Sequence, residues 1–140
     1  MPKVVFEAKN ITKIRVKYAD TDKMGVVNNG RYLEYFEAGR TELMREYGLP
    51  YTEFEKAGFL LPVVEAFASF KSPANYDDIL EVEASLKFSY EPFLRFEYNI
   101  FRGNTTIAIG YTIHSFLNSE TRRPVKPPKV FLDALAKAGK

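Results

Sequence analysis

The chain has 140 residues, a formal net charge of +2, 46% hydrophobic residues and no cysteine. That is the length of one ordinary domain with enough apolar material for a core, and residues 1–140 are read as a single domain. The absent cysteines exclude a disulfide framework, a thiolate nucleophile and a cysteine-based zinc site. The interspersed charges argue against a nucleic-acid partner, which would ask for a clustered basic stripe. Met1 to Ile11 carries Lys3, Glu7 and Lys9 and does not read as a signal peptide. No apolar run approaches the ~20 residues of a membrane span. A soluble, cytoplasmic protein is expected, in keeping with a cysteine-free chain in a reducing compartment.

Residues 13–18 alternate, with Ile14, Val16 and Tyr18 on one side and Lys13, Arg15 and Lys17 on the other. That pattern predicts a half-buried strand. A polar loop runs from Ala19 to Gly30. From Arg31 to Tyr47 the period becomes helical, with Leu33, Phe36, Leu43 and Tyr47 on one face. Gly39 sits inside that helix, where a small residue would let a sheet come close. Gly48 and Pro50 end it. Thr52 and Glu55 have capping-box spacing and predict a short helix closed by Gly58.

Four strands follow. Residues 61–70 are almost continuously apolar and read as a central strand. Residues 79–90 and 94–101 alternate cleanly, and a last strand spans residues 105–117. Turns at Glu91-Pro92 and Gly103-Asn104 predict tight antiparallel hairpins. A Pro- and Arg-rich loop from Asn118 to Pro128 leads to a short terminal helix from Lys129. The fold class is α+β, one long helix against a five-stranded antiparallel sheet. The long strands offer more apolar and edge surface than one helix covers, which points to a homo-oligomer.

Chemistry concentrates in Tyr18-Ala-Asp-Thr-Asp-Lys-Met-Gly-Val-Val-Asn-Asn-Gly-Arg-Tyr32. Two carboxylates, Asp20 and Asp22, stand before a helix N-terminus. Unpaired amides there can polarise a carbonyl and stabilise an oxyanion. A nearby carboxylate can attack that carbonyl or deprotonate a water. Either aspartate could equally be a cap or turn residue. The spacing D-x-D-x-x-G from Asp20 touches a calcium pattern, but Met24 and Arg31 occupy ligand positions. His114, the only histidine, reads as a structural residue, and one histidine without cysteine makes a metal site improbable. No G-x-S-x-G elbow, G-x-G-x-x-G or P-loop occurs. Arg122, Arg123, Lys126 and Lys129 cluster after the last strand and could meet phosphates. Glu37, near Arg40 on the long helix, is an alternative base.

The loop, together with Tyr32-Leu-Glu-Tyr-Phe-Glu-Ala-Gly-Arg-Thr-Glu42, resembles the 4-hydroxybenzoyl-CoA thioesterase-like branch of hotdog-fold acyl-CoA thioesterases, which includes the Tol-Pal-associated enzymes. The resemblance continues through Pro62-Val-Val-Glu65, Lys71-Ser-Pro-Ala74, Tyr76-Asp-Asp78 and Arg123-Pro-Val-Lys-Pro-Pro128. It implies a hotdog fold and hydrolysis of an acyl-CoA without cofactor or metal; the alternatives are a non-catalytic acyl-CoA- or acyl-carrier-binding module and a hotdog hydratase or dehydratase. Asp22 would be the catalytic carboxylate, Tyr18 an active-site tyrosine, and the Asn29 amide the carbonyl-polarising group. By their charge, not by the resemblance, Arg122, Arg123 and Lys126 are the candidate contacts for coenzyme A, with a solvated loop as the alternative. The resemblance also implies a dimer with joined sheets, paired again as a tetramer, with active sites at subunit interfaces. Asn28-Asn29 stands where many Tol-Pal-associated members carry Tyr-His, so a possible imidazole is missing.

Overall fold

The structure, a computed structural model, describes residues 6–138. Met1 to Val5, part of the stretch read for a leader, lie outside the described residues. The strands are β1 (Phe6–Arg15), β2 (Phe59–Leu60), β3 (Val63–Phe70), β4 (Ile79–Phe88), β5 (Phe93–Arg102), β6 (Thr105–Ser115) and β7 (Leu117–Asn118). The α-helices are α1 (Arg31–Glu46), α2 (Tyr51–Lys56) and α3 (Lys129–Ala138). Five strands form one antiparallel sheet in the order β1-β4-β5-β6-β3, and β2 pairs with β7 apart from it. The long helix lies across one face of this sheet, the hotdog arrangement. Among the described residues no helix is long and apolar enough to cross a membrane.

The period-2 alternation of β4 and β5 decides which face α1 covers. Leu80, Val82, Ala84, Leu86 and Phe88 of β4 are buried, as are Leu94, Phe96, Tyr98 and Ile100 of β5. The helix answers with Tyr32, Tyr35, Phe36, Gly39, Leu43 and Met44. Each large apolar side chain removed from water here contributes about 1.5–3 kcal/mol. Two glycines set the close approach. A Cβ on Gly39 would lie 2.7 Å from Val82 Cγ1. A Cβ on Gly110 of β6 would meet the Phe67 carbonyl oxygen and stand 2.7 Å from the Phe36 ring. Phe36 therefore drops onto the sheet and stacks on Tyr98 with ring centroids 4.3 Å apart.

The helix ends as its residues dictate. Gly48 takes φ +80°, its N–H reaches the Arg45 carbonyl at 3.1 Å, and the Leu49 N–H reaches Met44 at 2.9 Å. These paired bonds make a Schellman motif, which favours glycine at that left-handed position. Gly103-Asn104 closes a two-residue hairpin, with Arg102 opposite Thr105.

Several expectations need correction. The first strand is longer and begins at Phe6, because every residue to Arg15 finds a partner on β4. It also stops before Tyr18, which enters a 3₁₀ turn over Tyr18–Asp20 and is 78% exposed. Leu33 is 44% exposed, off the buried stripe. Thr52 lies within α2, whose N-cap is Pro50, so no Thr52–Glu55 capping box forms. The third predicted strand stops at Phe88, short of Tyr90, which turns with φ 61°. The predicted strand over residues 105–117 divides into β6 and β7. The largest departure is β3. Its apolar run is not central but forms a sheet edge, leaving Val63, Val64, Phe67 and Phe70 exposed.

Candidate active site

Past β1 the chain is fastened to the turn before β4, by bonds from the Val16 N–H to Asp78 at 2.8 Å and from the Asp77 N–H to Val16 at 3.0 Å. The 3₁₀ turn then delivers Asp20 inward. Its Oδ2 accepts the Tyr35 hydroxyl at 2.9 Å and the Lys17 N–H at 3.2 Å, and Arg31 Nε stands 4.0 Å from Oδ1. Asp20 is 5% exposed. Burial, then the hydrogen bond to this carboxylate, push the Tyr35 phenol well above its usual range. Asp20 is the anchor of the loop.

Asp22 is turned the other way. The chain folds back as a small hairpin, with the Asp22 N–H on Val26 at 2.9 Å, Thr21 bridged to Val27, and the Asn28 N–H on Asp20 at 2.9 Å. Gly25, at φ +80°, supplies the left-handed turn residue. Its outer strand is held by the Val27 N–H on Ala74 at 2.9 Å and the Tyr76 N–H on Gly25 at 3.4 Å. Asp22 is exposed. Its Oδ1 accepts the Met24 N–H at 2.8 Å and the Val26 N–H at 3.4 Å, while Oδ2 has no hydrogen-bond partner among the described residues. Two amides thus fix the direction of the carboxylate and leave one oxygen available.

The hairpin ends at the start of α1. The Gly30 N–H is taken by Asn28 Oδ1 at 3.0 Å. The Arg31 and Tyr32 N–H groups are taken by the Asn28 and Asn29 carbonyls at 2.9 and 3.3 Å. The Asn29 N–H donates to no group among the described residues. It sits at the positive end of the helix dipole and borders a cleft of about 240 Å³ walled by Val26, Val27, Tyr32, Phe70, Lys71 and Pro73. None of these wall residues was assigned a role in a cleft from sequence, because they converge from three separate segments. A larger cleft, about 830 Å³, lies elsewhere, between β1 and α1, and includes neither Asp22 nor Asn29.

The other expected residues are dispersed. The Tyr18 hydroxyl makes no hydrogen bond to Asp22, and its ring meets Tyr76 edge-on at 5.7 Å. Arg122, Arg123 and Lys126 are exposed, in a loop tied to β7 and Phe116 by the Arg122 and Val125 N–H groups. Among the described residues these three make no salt bridge, whereas Lys129 pairs with Asp133 at 3.5 Å. Glu37 is an exposed helix residue 3.6 Å from Arg40. His114 is 1% exposed, with Nδ1 3.0 Å from the Leu61 carbonyl and Nε2 2.9 Å from Thr112 Oγ1. Burial pushes its pKa down to about 4, so it is neutral and structural.

The thioesterase-like superfamily matches residues 16–135 of the chain. The YneP protein of Bacillus subtilis (strain 168) is 34% identical over 123 residues, 86% of this chain and 88% of that protein. The acyl-CoA thioesterase YbgC of Haemophilus influenzae is 30% identical over 117 residues, 83% of this chain and 86% of that one. The crystal structure of the DHNA-CoA thioesterase from Staphylococcus aureus superposes with a TM-score of 0.85 at 27% identity, covering 94% of this chain and 91% of that one. The chain belongs to the thioesterase-like superfamily and is a hotdog-fold thioesterase.

Proposed function

We propose that this protein hydrolyses acyl-CoA thioesters to free CoA and a carboxylic acid, with Asp22 as the catalytic carboxylate. What supports the reading most is one pairing: a carboxylate with a free, oriented oxygen and a helix-start amide with no acceptor, held by a single small hairpin. The Asn29 N–H polarises the thioester carbonyl and stabilises the oxyanion. Asp22 Oδ2 either attacks the carbonyl carbon or takes a proton from the water that attacks it. The C–S bond then breaks and CoA departs as a thiolate; on the nucleophilic route water then cleaves the acyl–Asp22 anhydride, releasing the acid and restoring the carboxylate. Thiols ionise at about pH 8–9, so departure needs no strong general acid and the missing imidazole is tolerable. The cleft beside Asn29 receives the acyl group against Tyr32 and Phe70. Tyr18, exposed against Tyr76, positions the substrate, and Arg122, Arg123 and Lys126 are free to meet CoA phosphates.

The whole chain acts as one cytoplasmic domain in this reading. Edge strand β3 supplies the dimer seam, since it presents exposed Val63, Val64, Phe67 and Phe70 beside unpaired backbone groups. A second pairing gives the tetramer. Light scattering on the purified protein reads both steps. The function is tested by thiol release over short, long and aromatic acyl-CoAs, with wild type and Asp22→Asn. Turnover unchanged in the variant would remove Asp22 from the mechanism, and no turnover of any thioester by wild type would sink the reading.

A further inference from the structure

A second cleft, of about 440 Å³, opens over the middle of α1 and is unused by the mechanism above. We propose that it is a binding site for an apolar carboxylate, with Arg40 as the cation that holds the acid group. The volume falls within the range of small-molecule pockets. Met44, Tyr51, Leu61, Pro62 and Val63 give it an apolar wall, and Arg40 reaches it from the helix.

Arg40 is unusually confined for a cation. Its side chain is 15% exposed, and NH1 donates to Tyr98 Oη at 3.4 Å. Tyr98 Oη lies 2.6 Å from Thr112 Oγ1, which lies 2.9 Å from His114 Nε2, and His114 Nδ1 lies 3.0 Å from the Leu61 carbonyl. With His114 neutral, one proton arrangement satisfies the whole chain. A guanidinium only donates and a carbonyl only accepts. So Tyr98 donates to Thr112, Thr112 donates to Nε2, and Nδ1–H donates to Leu61. The chain occupies one guanidinium proton, and Arg40 lines the cleft with the rest of its donors engaged only by Glu37.

The counter-ion within the protein is weak. Glu37 Oε2 stands 3.6 Å from Arg40 NH2, and the Glu37 side chain is 65% exposed. Charge-assisted bonds are shorter, about 2.7–2.9 Å, so Glu37 can swing to solvent and yield to a ligand carboxylate. Tyr51 adds a second donor. Its oxygen accepts the Leu61 N–H at 3.4 Å, which leaves its own proton to give away. A planar fork beside an apolar wall fits a carboxylate on a hydrocarbon body better than a phosphate or a neutral amide.

Such a carboxylate could be the far end of a substrate's acyl group or a free acid such as the product. Calorimetric titration with phenylacetate and hexanoate, against phenylacetamide and hexanamide, tests binding without any need for turnover. Wild type should bind the acids and not the amides. Arg40→Gln, checked for folding by circular dichroism, should weaken acid binding at least tenfold. Arg40→Lys should retain part of it, and Glu37→Gln should tighten it. Equal binding of acids and amides, or unchanged affinity in folded Arg40→Gln, overturns the proposal. Tyr98→Phe, which removes only the hydroxyl holding Arg40, is the check if Arg40→Gln misfolds, and it should weaken acid binding severalfold. Kinetics separate the sources. If the ligand is part of the substrate, Arg40→Gln lowers the kcat/KM ratio of adipoyl-CoA to hexanoyl-CoA tenfold or more. If it is a free acid, hexanoate alters wild-type turnover and Arg40→Gln abolishes that effect.

Discussion

Asp20 and Asp22 are the same side chain, two residues apart in one loop, in opposite surroundings. Asp20 is buried, with Oδ2 shared between Tyr35 and Lys17 and Arg31 nearby. Asp22 is exposed, with one oxygen held by backbone amides and the other open. The difference teaches how a polar loop can be both rigid and reactive. The inward carboxylate fastens the loop to α1, and the outward one spends none of its free oxygen on structure. A structural role and the proposed catalytic one, which looked like rivals for one residue, fall to two.

The first way to break this division is Asp22→Asn. The amide oxygen can still accept the Met24 N–H, so the melting temperature should stay close to wild type, while thiol release should fall about 10²–10⁴-fold. Loss of folding instead would make Asp22 a second anchor. Next is Asn29. Asn29→Pro removes the N–H and should cost about 10²–10³ in kcat, whereas Asn29→Ala keeps it and should stay within about threefold of wild type. Equal damage from both would move the work to the side chain.

Asp20→Ala should do the reverse of Asp22→Asn. It strands the buried Tyr35 hydroxyl and should lower stability by about 1–3 kcal/mol in urea titration. Any activity loss there should follow misfolding of the loop. Tyr35→Phe should cost a similar or smaller amount, roughly 1–2 kcal/mol, because Lys17 still binds Asp20. The pH dependence separates stability from chemistry too. Unfolded His114 binds a proton near its ordinary pKa of 6.5, but folded His114 resists it down to about 4. The unfolded chain therefore holds more protons between these values. The stability this supplies is complete above pH 6.5 and is lost as pH falls toward 4. Its slope is at most roughly 1.4 kcal/mol per pH unit, measurable by urea unfolding at pH 7.5, 6 and 5. A flat profile would contradict the buried neutral imidazole.

Much of the fold was legible in the sequence because alternation and helical period are local. The strands β4, β5 and β6, the helix α1 and its glycine stop follow from spacing alone. Pairing is not local, and it explains the failures. The run Val63–Phe70 reads as central because both of its sides are apolar, yet it lies at an edge, with Val63, Val64, Phe67 and Phe70 uncovered within the protomer. Sequence records that those side chains avoid water and not what covers them. Polar positions such as Lys9, Asn10 and Thr12 hid the first half of β1, which its match to β4 reveals. In the site, spacing suggested a carboxylate near a helix amide. It could not show that Asp20 turns to Tyr35, or that Val26, Phe70 and Pro73 converge beside Asn29.

Gly110 has a consequence for how the sheet assembles. It stands opposite Ala68 on β3 and Tyr98 on β5, in the space that the Phe36 ring enters. A slip of β6 by one residue would turn its inward side chains outward. A slip by two would bring Ala108 or Thr112 under that ring, where a Cβ has no room. Only one alignment leaves a gap of the right shape, so the aromatic ring on the helix works as a key, and the empty position on the strand is the ward that rejects misaligned pairings.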